Sequence, residues 1–281
     1  MKSSYIQKLI DQTFSLVIKE FEVSFLAIVF TRVYSIGEPK SKTAVPLKGW
    51  RKMAKLVFIR HGQSELNLQN VFTGWLDPAL SPLGVEEAKA AGLALKEEGL
   101  IFDVVHTSLL ARAIQTTFYT LDNLDQLYLP VYKHWRLNER HYGALQGLNK
   151  AETAAIHGED QVHIWRRSYD VRPPQATANT FDRRYQDLDI DHLLAGESLK
   201  DTLNRTMPYW EDHIAADLKE GKNVLVVAHG NSLRSLTKYL EGISDEDIPN
   251  LEIATGEPII YDVDEKLHIS NKKVLTKHIA K

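Results

Sequence analysis

The sequence predicts one α/β domain of three layers, a mainly parallel sheet flanked by helices, spanning residues 53–281. Three observations carry that reading. The runs Leu56-Val57-Phe58-Ile59 and Val224-Leu225-Val226-Val227-Ala228 are continuously apolar, as strands covered on both faces are. Each run leads into a histidine and a glycine, at His61-Gly62 and His229-Gly230, and then into a helical pattern. Between them, short apolar stretches alternate with capped amphipathic segments. Two imidazoles are thereby expected at the carboxyl edge of one sheet, where open α/β sheets hold their ligands.

Composition narrows the function. The chain has 281 residues, no cysteine and a formal net charge of −3. Its hydrophobic content of 43% suits a soluble globular protein. Near-neutral charge argues against a general nucleic-acid binder. Without cysteine there is no disulfide, no thiolate nucleophile and no cysteine zinc site. The apolar stretch 23–30, between Glu22 and Arg32, is too short for a bilayer, which needs about 20 apolar residues. Acidic residues before it make a poor signal peptide, so a cytoplasmic protein with no membrane contact is expected.

Residues 1–52 read as an appended extension. Ile6, Leu9, Ile10, Phe14 and Val17 have helical spacing, and residues 35–52 form a linker with Gly37, Pro39, Pro46 and Gly49. No chemistry is visible there, and the extension is expected to be dispensable for activity.

The strand over residues 55–59 runs into Arg60-His61-Gly62-Gln63-Ser64, with Asn67 just beyond. Residues 71–75 form a loop with Thr73 and Gly74. Ser81 and Pro82 begin a helix that ends at Gly99. A strand over 102–107 follows, then a helix with Ser108 as its expected cap and Arg112 near its start. A strand around 129–132 leads to the glycine-bearing loop 137–147. A helix begins at Lys150, with Trp165-Arg166-Arg167 after it, and residues 169–191 form a polar surface excursion. A long helix is expected over 196–221, kinked or broken at Pro208. The second strand–His–Gly–helix unit comes next, then a strand over 258–263. The lysine-dotted tail from about 264 to 281 is expected to be mobile.

The chemistry sits at the strand ends. Arg60 offers a planar fork suited to phosphate oxygens. His61 is a nucleophile if one ring nitrogen is bare. Arg112 adds to the positive end of its helix dipole, which is tolerable if an anion sits opposite. Glu139, Arg140, His141 and Tyr142 place an acid, bases and a phenol in four consecutive residues.

The runs 56–67, 72–75, 107–116, 139–152 (Glu-Arg-His-Tyr-Gly-Ala-Leu-Gln-Gly-Leu-Asn-Lys-Ala-Glu), 165–167, 197–199 and 228–231 resemble the cofactor-dependent phosphoglycerate mutases of the histidine phosphatase superfamily. The resemblance extends from Met53 to about Asp264. It implies interconversion of 3-phosphoglycerate and 2-phosphoglycerate through a phosphohistidine, primed by 2,3-bisphosphoglycerate and needing no metal. His61 matches the nucleophile. Arg60, Arg112 and His229 match the phosphate clamp, and Glu139 the general acid/base. Gly62, Gln63, Ser64, Asn67, Thr73, Gly74, Tyr142, Lys150, Arg166, Arg167, Gly230 and Asn231 match substrate and cofactor contacts. Arg140 is counted with them and also, like His141, as a structural neighbour of the acid. The resemblance also implies a homodimer or homotetramer. Leu66 stands where the family usually has tryptophan. Three alternatives remain at this point: a phosphatase that passes the phosphoryl group to water, a non-catalytic binding protein that keeps the fold as a phospholigand surface, or a bisphosphoglycerate mutase/phosphatase.

Overall fold

The computed structural model of the chain describes residues 53–176, 182–188 and 195–276. The extension 1–52 lies outside the described residues. Six strands form one mixed sheet: β1 (Ala54–Arg60), β2 (Val104–Thr107), β3 (Val131–Lys133), β4 (Val224–Ala228), β5 (Pro258–Val263) and β6 (Ile269–Val274). Their order is β3-β2-β4-β1-β5-β6. The four strands from β3 to β1 are mutually parallel, and β5 and β6 continue the sheet antiparallel. The chain leaves β1, crosses to β2 two places away, and later returns to put β4 into the gap. The two strands with the most apolar sequences therefore lie side by side, Leu56 opposite Val224 and Arg60 opposite Ala228.

Alternation along these strands builds the three layers. Leu56, Phe58, Val224, Val226 and Ala228 face one side, against Trp210, Ile214, Leu218, Leu233 and Leu236. Val57, Ile59, Leu225 and Val227 face the other, against Ala91, Leu95, Leu121 and Leu124. Side chains of period two on a doubly covered strand leave no polar position, which is why these runs are continuously apolar.

The helices are α1 (Glu65–Leu68), α2 (Pro82–Glu97), α3 (Ala111–Asn123), α4 (Lys150–His157), α5 (Glu159–Arg167), α6 (Leu199–Tyr209), α7 (Ala215–Lys219) and α8 (Gly230–Glu241). Ser81 caps α2 as the sequence predicts, its Oγ accepting from the Gly84 N–H at 3.1 Å. Ser198 and Asp201 form a reciprocal capping box at α6.

Several expectations are corrected. Ser108 does not cap α3: Leu110 stands at the N-cap, and the Ala111 N–H is taken by Asp77 Oδ1 at 2.6 Å. The helix expected over 196–221 is three pieces, α6, a π-helical turn at Trp210–Ile214 and α7. Pro208 sits in the last turn of α6, where its missing N–H removes a rung of the ladder. Arg166 and Arg167 do not follow a helix but end α5, which Gly158 separates from α4. The tail is not free over residues 264–276: β6 pairs with β5, Ile259 opposite Val274. Its residues are exposed on both faces apart from half-buried Ile269, as an edge strand with little cover allows, so lysines are tolerated there.

Candidate active site

The register of β1 and β4 decides the site. With Arg60 opposite Ala228, the next residues, His61 and His229, emerge together at the carboxyl edge. The His61 N–H donates to Ala228 O at 2.9 Å. The two ring centroids lie 4.9 Å apart at 60°.

His61 Nδ1 is 2.7 Å from Gly62 O. A carbonyl only accepts, so Nδ1 carries the proton and Nε2 presents a lone pair. Arg112 Nε donates toward that lone pair at 3.3 Å. Burial first, then the guanidiniums of Arg112 and Arg60, hold the His61 pKa well below 6.5. The ring is neutral at pH 7, as a nitrogen nucleophile must be.

Arg112 lies in the first turn of α3, fully buried. Its Nη1 donates to Leu76 O at 2.8 Å and its Nη2 to Gly74 O at 2.9 Å. Burial lowers its pKa to about 10, so it remains a cation. Thr116 Oγ1 joins the two elements, accepting from the Gly62 N–H at 3.0 Å and donating to Arg112 O at 2.7 Å. Gly62 is required by a close approach: a Cβ there would stand 2.2 Å from Gly84 O.

Glu139 stands at the start of α8, just beyond the β4 histidine. Its Oε1 accepts from the Asn231 N–H at 3.1 Å and the Arg140 N–H at 2.7 Å. Its own carbonyl is held by Trp75 Nε1 and, at 2.9 Å, by Arg205 Nη2. Arg205 forms a buried pair with Glu197 at 2.6 Å and also grips the carbonyls of Arg136 and Asn138. The loop carrying the acid is thus tied down by one guanidinium.

These groups border a cavity of about 150 Å³. It brings together Arg60, His61, Asn67, Thr73, Gly74, Arg112, Glu139, Tyr142, Lys150, Arg166, Arg167, Gly230 and Asn231. Six arginines and lysines line it against two carboxylates, those of Glu139 and Glu252. Arg60 Nη1 donates to Ile253 O at 2.8 Å, while its Nε has no partner. The Tyr142 hydroxyl accepts from Asn231 Nδ2 at 3.1 Å, and Arg140 lies 4.6 Å over its ring. Burial raises the phenol pKa, but the Arg140 charge and the hydrogen bonds outweigh it and the net shift is downward. Burial lowers the pKa of Lys150 and of Arg166.

Four predicted binding residues do not reach the cavity. Gly62 is packed on Gly84. The Gln63 side chain turns away to accept from Ser81 Oγ, and Ser64 caps α1. Arg140 is buried behind Tyr142 and donates to Arg166 O at 3.0 Å. His229 is fully buried beside His61, its Nε2 2.7 Å from Ser108 Oγ. Sequence reasoning missed Val71, Arg234, Glu252 and Ile253, which also line the cavity. Arg234 was findable: it follows Asn231 by three residues, one helical turn, and its Nη1 donates to Asn231 Oδ1 at 2.9 Å. Among the described residues, no group of three or more His, Asp or Glu side chains is placed to hold a metal ion. None of the described helices is long and apolar enough to cross a membrane.

A parallel-sheet edge with paired histidines, buried arginines and the Glu139 carboxylate at hand defines a phosphoryl-handling enzyme site. Comparison with known proteins agrees. The profile of the histidine phosphatase superfamily (branch 1) matches residues 56–269. A Lactiplantibacillus plantarum protein, 2,3-bisphosphoglycerate-dependent phosphoglycerate mutase 2, is 63% identical over 230 residues, 80% of this chain and 100% of that protein. A Lactobacillus johnsonii protein, 2,3-bisphosphoglycerate-dependent phosphoglycerate mutase 1, is 60% identical over 79% of this chain and 99% of its own length. Among solved structures, one described as mycobacterial hydrolase 1 shares the fold, with a TM-score of 0.62, 24% identity, and coverage of 81% of this chain and 100% of that one. The chain belongs to the histidine phosphatase superfamily and, within it, to the family of 2,3-bisphosphoglycerate-dependent phosphoglycerate mutases.

Proposed function

We propose that this chain interconverts 3-phosphoglycerate and 2-phosphoglycerate through a phosphohistidine primed by 2,3-bisphosphoglycerate. One observation carries the reading: a bare His61 Nε2, with Arg112 beside it and His229 facing it, opens on a cavity that also holds Glu139. In priming, the Nε2 lone pair bonds to phosphorus of the bisphosphate as the ester P–O bond breaks. The leaving oxygen takes the proton of the Glu139 carboxylic acid. In the productive step, the free hydroxyl of 3-phosphoglycerate gives its proton to the Glu139 carboxylate while its oxygen attacks the phosphohistidine. The bisphosphate so formed turns in the cavity and returns its other phosphoryl group to His61, leaving 2-phosphoglycerate.

Arg60 and Arg112 hold the oxygens of the transferring group, since phosphoryl transfer is mostly positioning and charge stabilisation. The wall fits the ligand: two phosphates of about −1.5 to −2 each at pH 7, plus a carboxylate, meet six cationic side chains. Lys150, Arg166 and Arg167 supply the positive charge for the end of the ligand that is not reacting. The unpartnered Arg60 Nε is a donor in want of an anion. The reaction needs no metal on this scheme and runs in the cytoplasm. Residues 53–281 carry the activity and residues 1–52 are dispensable for it. The protein works as a homodimer or homotetramer. The edge strand β3, with Val131 and Tyr132 exposed and one side unpaired, is a surface suited to a second copy.

The test mixes the enzyme with 3-phosphoglycerate and a trace of 2,3-bisphosphoglycerate. Formation of 2-phosphoglycerate with little free phosphate is expected. Free phosphate as the main product would overturn the mutase reading. Equal turnover of a chain starting at Met53 is expected, and a large loss would give the extension a role.

A further inference from the structure

We propose that Ser108 is a positioning residue that holds the ring proton of His229 on Nδ1, and that this Nδ1–H is the donor met by a phosphoryl group on His61. The inference rests on the phosphohistidine reading above and adds a residue to it.

The hydrogen-bond count around Ser108 decides where the proton sits. Its Oγ lies 2.7 Å from His229 Nε2 and accepts from the Leu110 N–H at 3.1 Å. Ser108 is completely buried. A hydroxyl has one hydrogen and two lone pairs. If Nε2 carried the proton, Oγ would accept twice and its own hydrogen would be buried without an acceptor, which is costly. If Ser108 donates to Nε2, both of its contacts are satisfied. Nε2 is then the bare nitrogen, and the proton must be on Nδ1.

Nδ1 is the atom that needs a partner. It is buried and makes no hydrogen bond of good geometry within the protein, although the His229 side chain also faces the Ser232 N–H at the start of α8. The ring stands 4.9 Å from that of His61, whose Nε2 is the site of phosphorylation. Burial first, then Arg112, His61, Arg205 and Arg60, keep the His229 ring from charging at neutral pH. Its capacity to donate therefore depends on which nitrogen holds the single proton. Free imidazole side chains in water favour the Nε2–H form, so a device that imposes the other form has a purpose. The hydroxyl of Ser108, at the end of β2, is such a device.

The first experiment labels the histidines of the whole chain with nitrogen-15 and records long-range nitrogen–proton spectra at pH 7.5, with His229→Asn identifying the signals. A protonated Nδ1 and a bare Nε2 are expected; the opposite pattern overturns the proposal. This readout needs no turnover, so it stands apart from the product assay, whose failure would instead sink the mutase reading. The second experiment compares Ser108→Ala and Ser108→Thr. Ser108→Ala should lose about 10- to 100-fold in kcat at pH 7.5, the scale of losing one donor to developing charge, with KM changed less than about threefold. Ser108→Thr should retain most of the rate, because its hydroxyl can donate to Nε2 in the same way. Thr no better than Ala, or a loss carried mainly in KM, would mean packing alone and reject the proposal. If Ser108→Ala does not fold, the spectrum of the unaltered protein decides by itself.

Discussion

The ends of β1 and β4 carry the same local sequence, a strand, a histidine and a glycine, and the fold puts them to different chemistry. At β1, the nitrogen tied down is Nδ1, held by the adjacent Gly62 carbonyl, and Nε2 is left open beside Arg112. At β4, the nitrogen tied down is Nε2, held by Ser108 from a third strand, and Nδ1 is left without a partner. The glycines differ as well. Gly62 is pressed onto the backbone of α2, while a Cβ on Gly230 would meet only Arg60 and Glu139 side chains at 3.4 and 3.6 Å. A shared motif fixes where an imidazole stands, and its hydrogen-bond partner fixes what it can do.

The largest test of this contrast is removal of the nucleophile. His61→Ala should abolish mutase turnover, by more than about 10⁴-fold, and leave no acid-labile phosphate on the protein after exposure to labelled 2,3-bisphosphoglycerate. Retained turnover would place the nucleophile elsewhere. Glu139→Gln comes next. It should lower kcat by about 10²- to 10⁴-fold with KM nearly unchanged, as loss of a general acid/base does. A change confined to KM would make Glu139 a binding group only.

The two glycines then separate stability from chemistry. Gly62→Ala should lower the melting temperature, costing about 1–3 kcal/mol as an overpacked site does, because Gly84 O at 2.2 Å belongs to backbone that cannot swing away. Gly230→Ala should melt close to the parent and lose rate instead, because the atoms it crowds are those of Arg60 and Glu139. Equal melting points for the two variants would erase the distinction.

The smallest expected effect is on pH. Burial leads the downward shift of His61, His229 and His106, and of His134 and His141 to about 4. Histidines whose folded pKa lies below the unfolded value bind protons more readily when unfolded. Their contribution is present above about pH 6.5 and is lost as pH falls toward 4. Urea midpoints should decline across that window, and a midpoint flat from pH 7 to 4 would contradict these shifts.

How much was legible in the sequence follows from range. Both histidine strands were readable because burial on two faces leaves a continuous apolar run. Ser81 was readable as a cap because it acts three residues away. The start of α3 was not, because its first N–H, on Ala111, is taken by Asp77, 34 residues upstream. Nor was β6: its lysines read as a solvated tail, and only pairing with β5 makes Ile269–Val274 a strand. In the site, nearness along the chain misled at Gln63 and Ser64, which follow the nucleophile yet point elsewhere. Arg234 was missed because an arginine on a helix usually lies in water, and here the fold buries it beside the cavity.

The crowd of guanidinium and ammonium groups around one small hollow has a consequence for handling the protein. Six cations against the carboxylates of Glu139 and Glu252 make the hollow positive on balance, so a multivalent oxyanion that binds there stabilises the folded chain. Sulfate or inorganic phosphate should therefore raise resistance to heat by mass action, while chloride at equal ionic strength should do so far less. Purification and storage buffers then set the apparent robustness of the protein as much as its hydrophobic interior does.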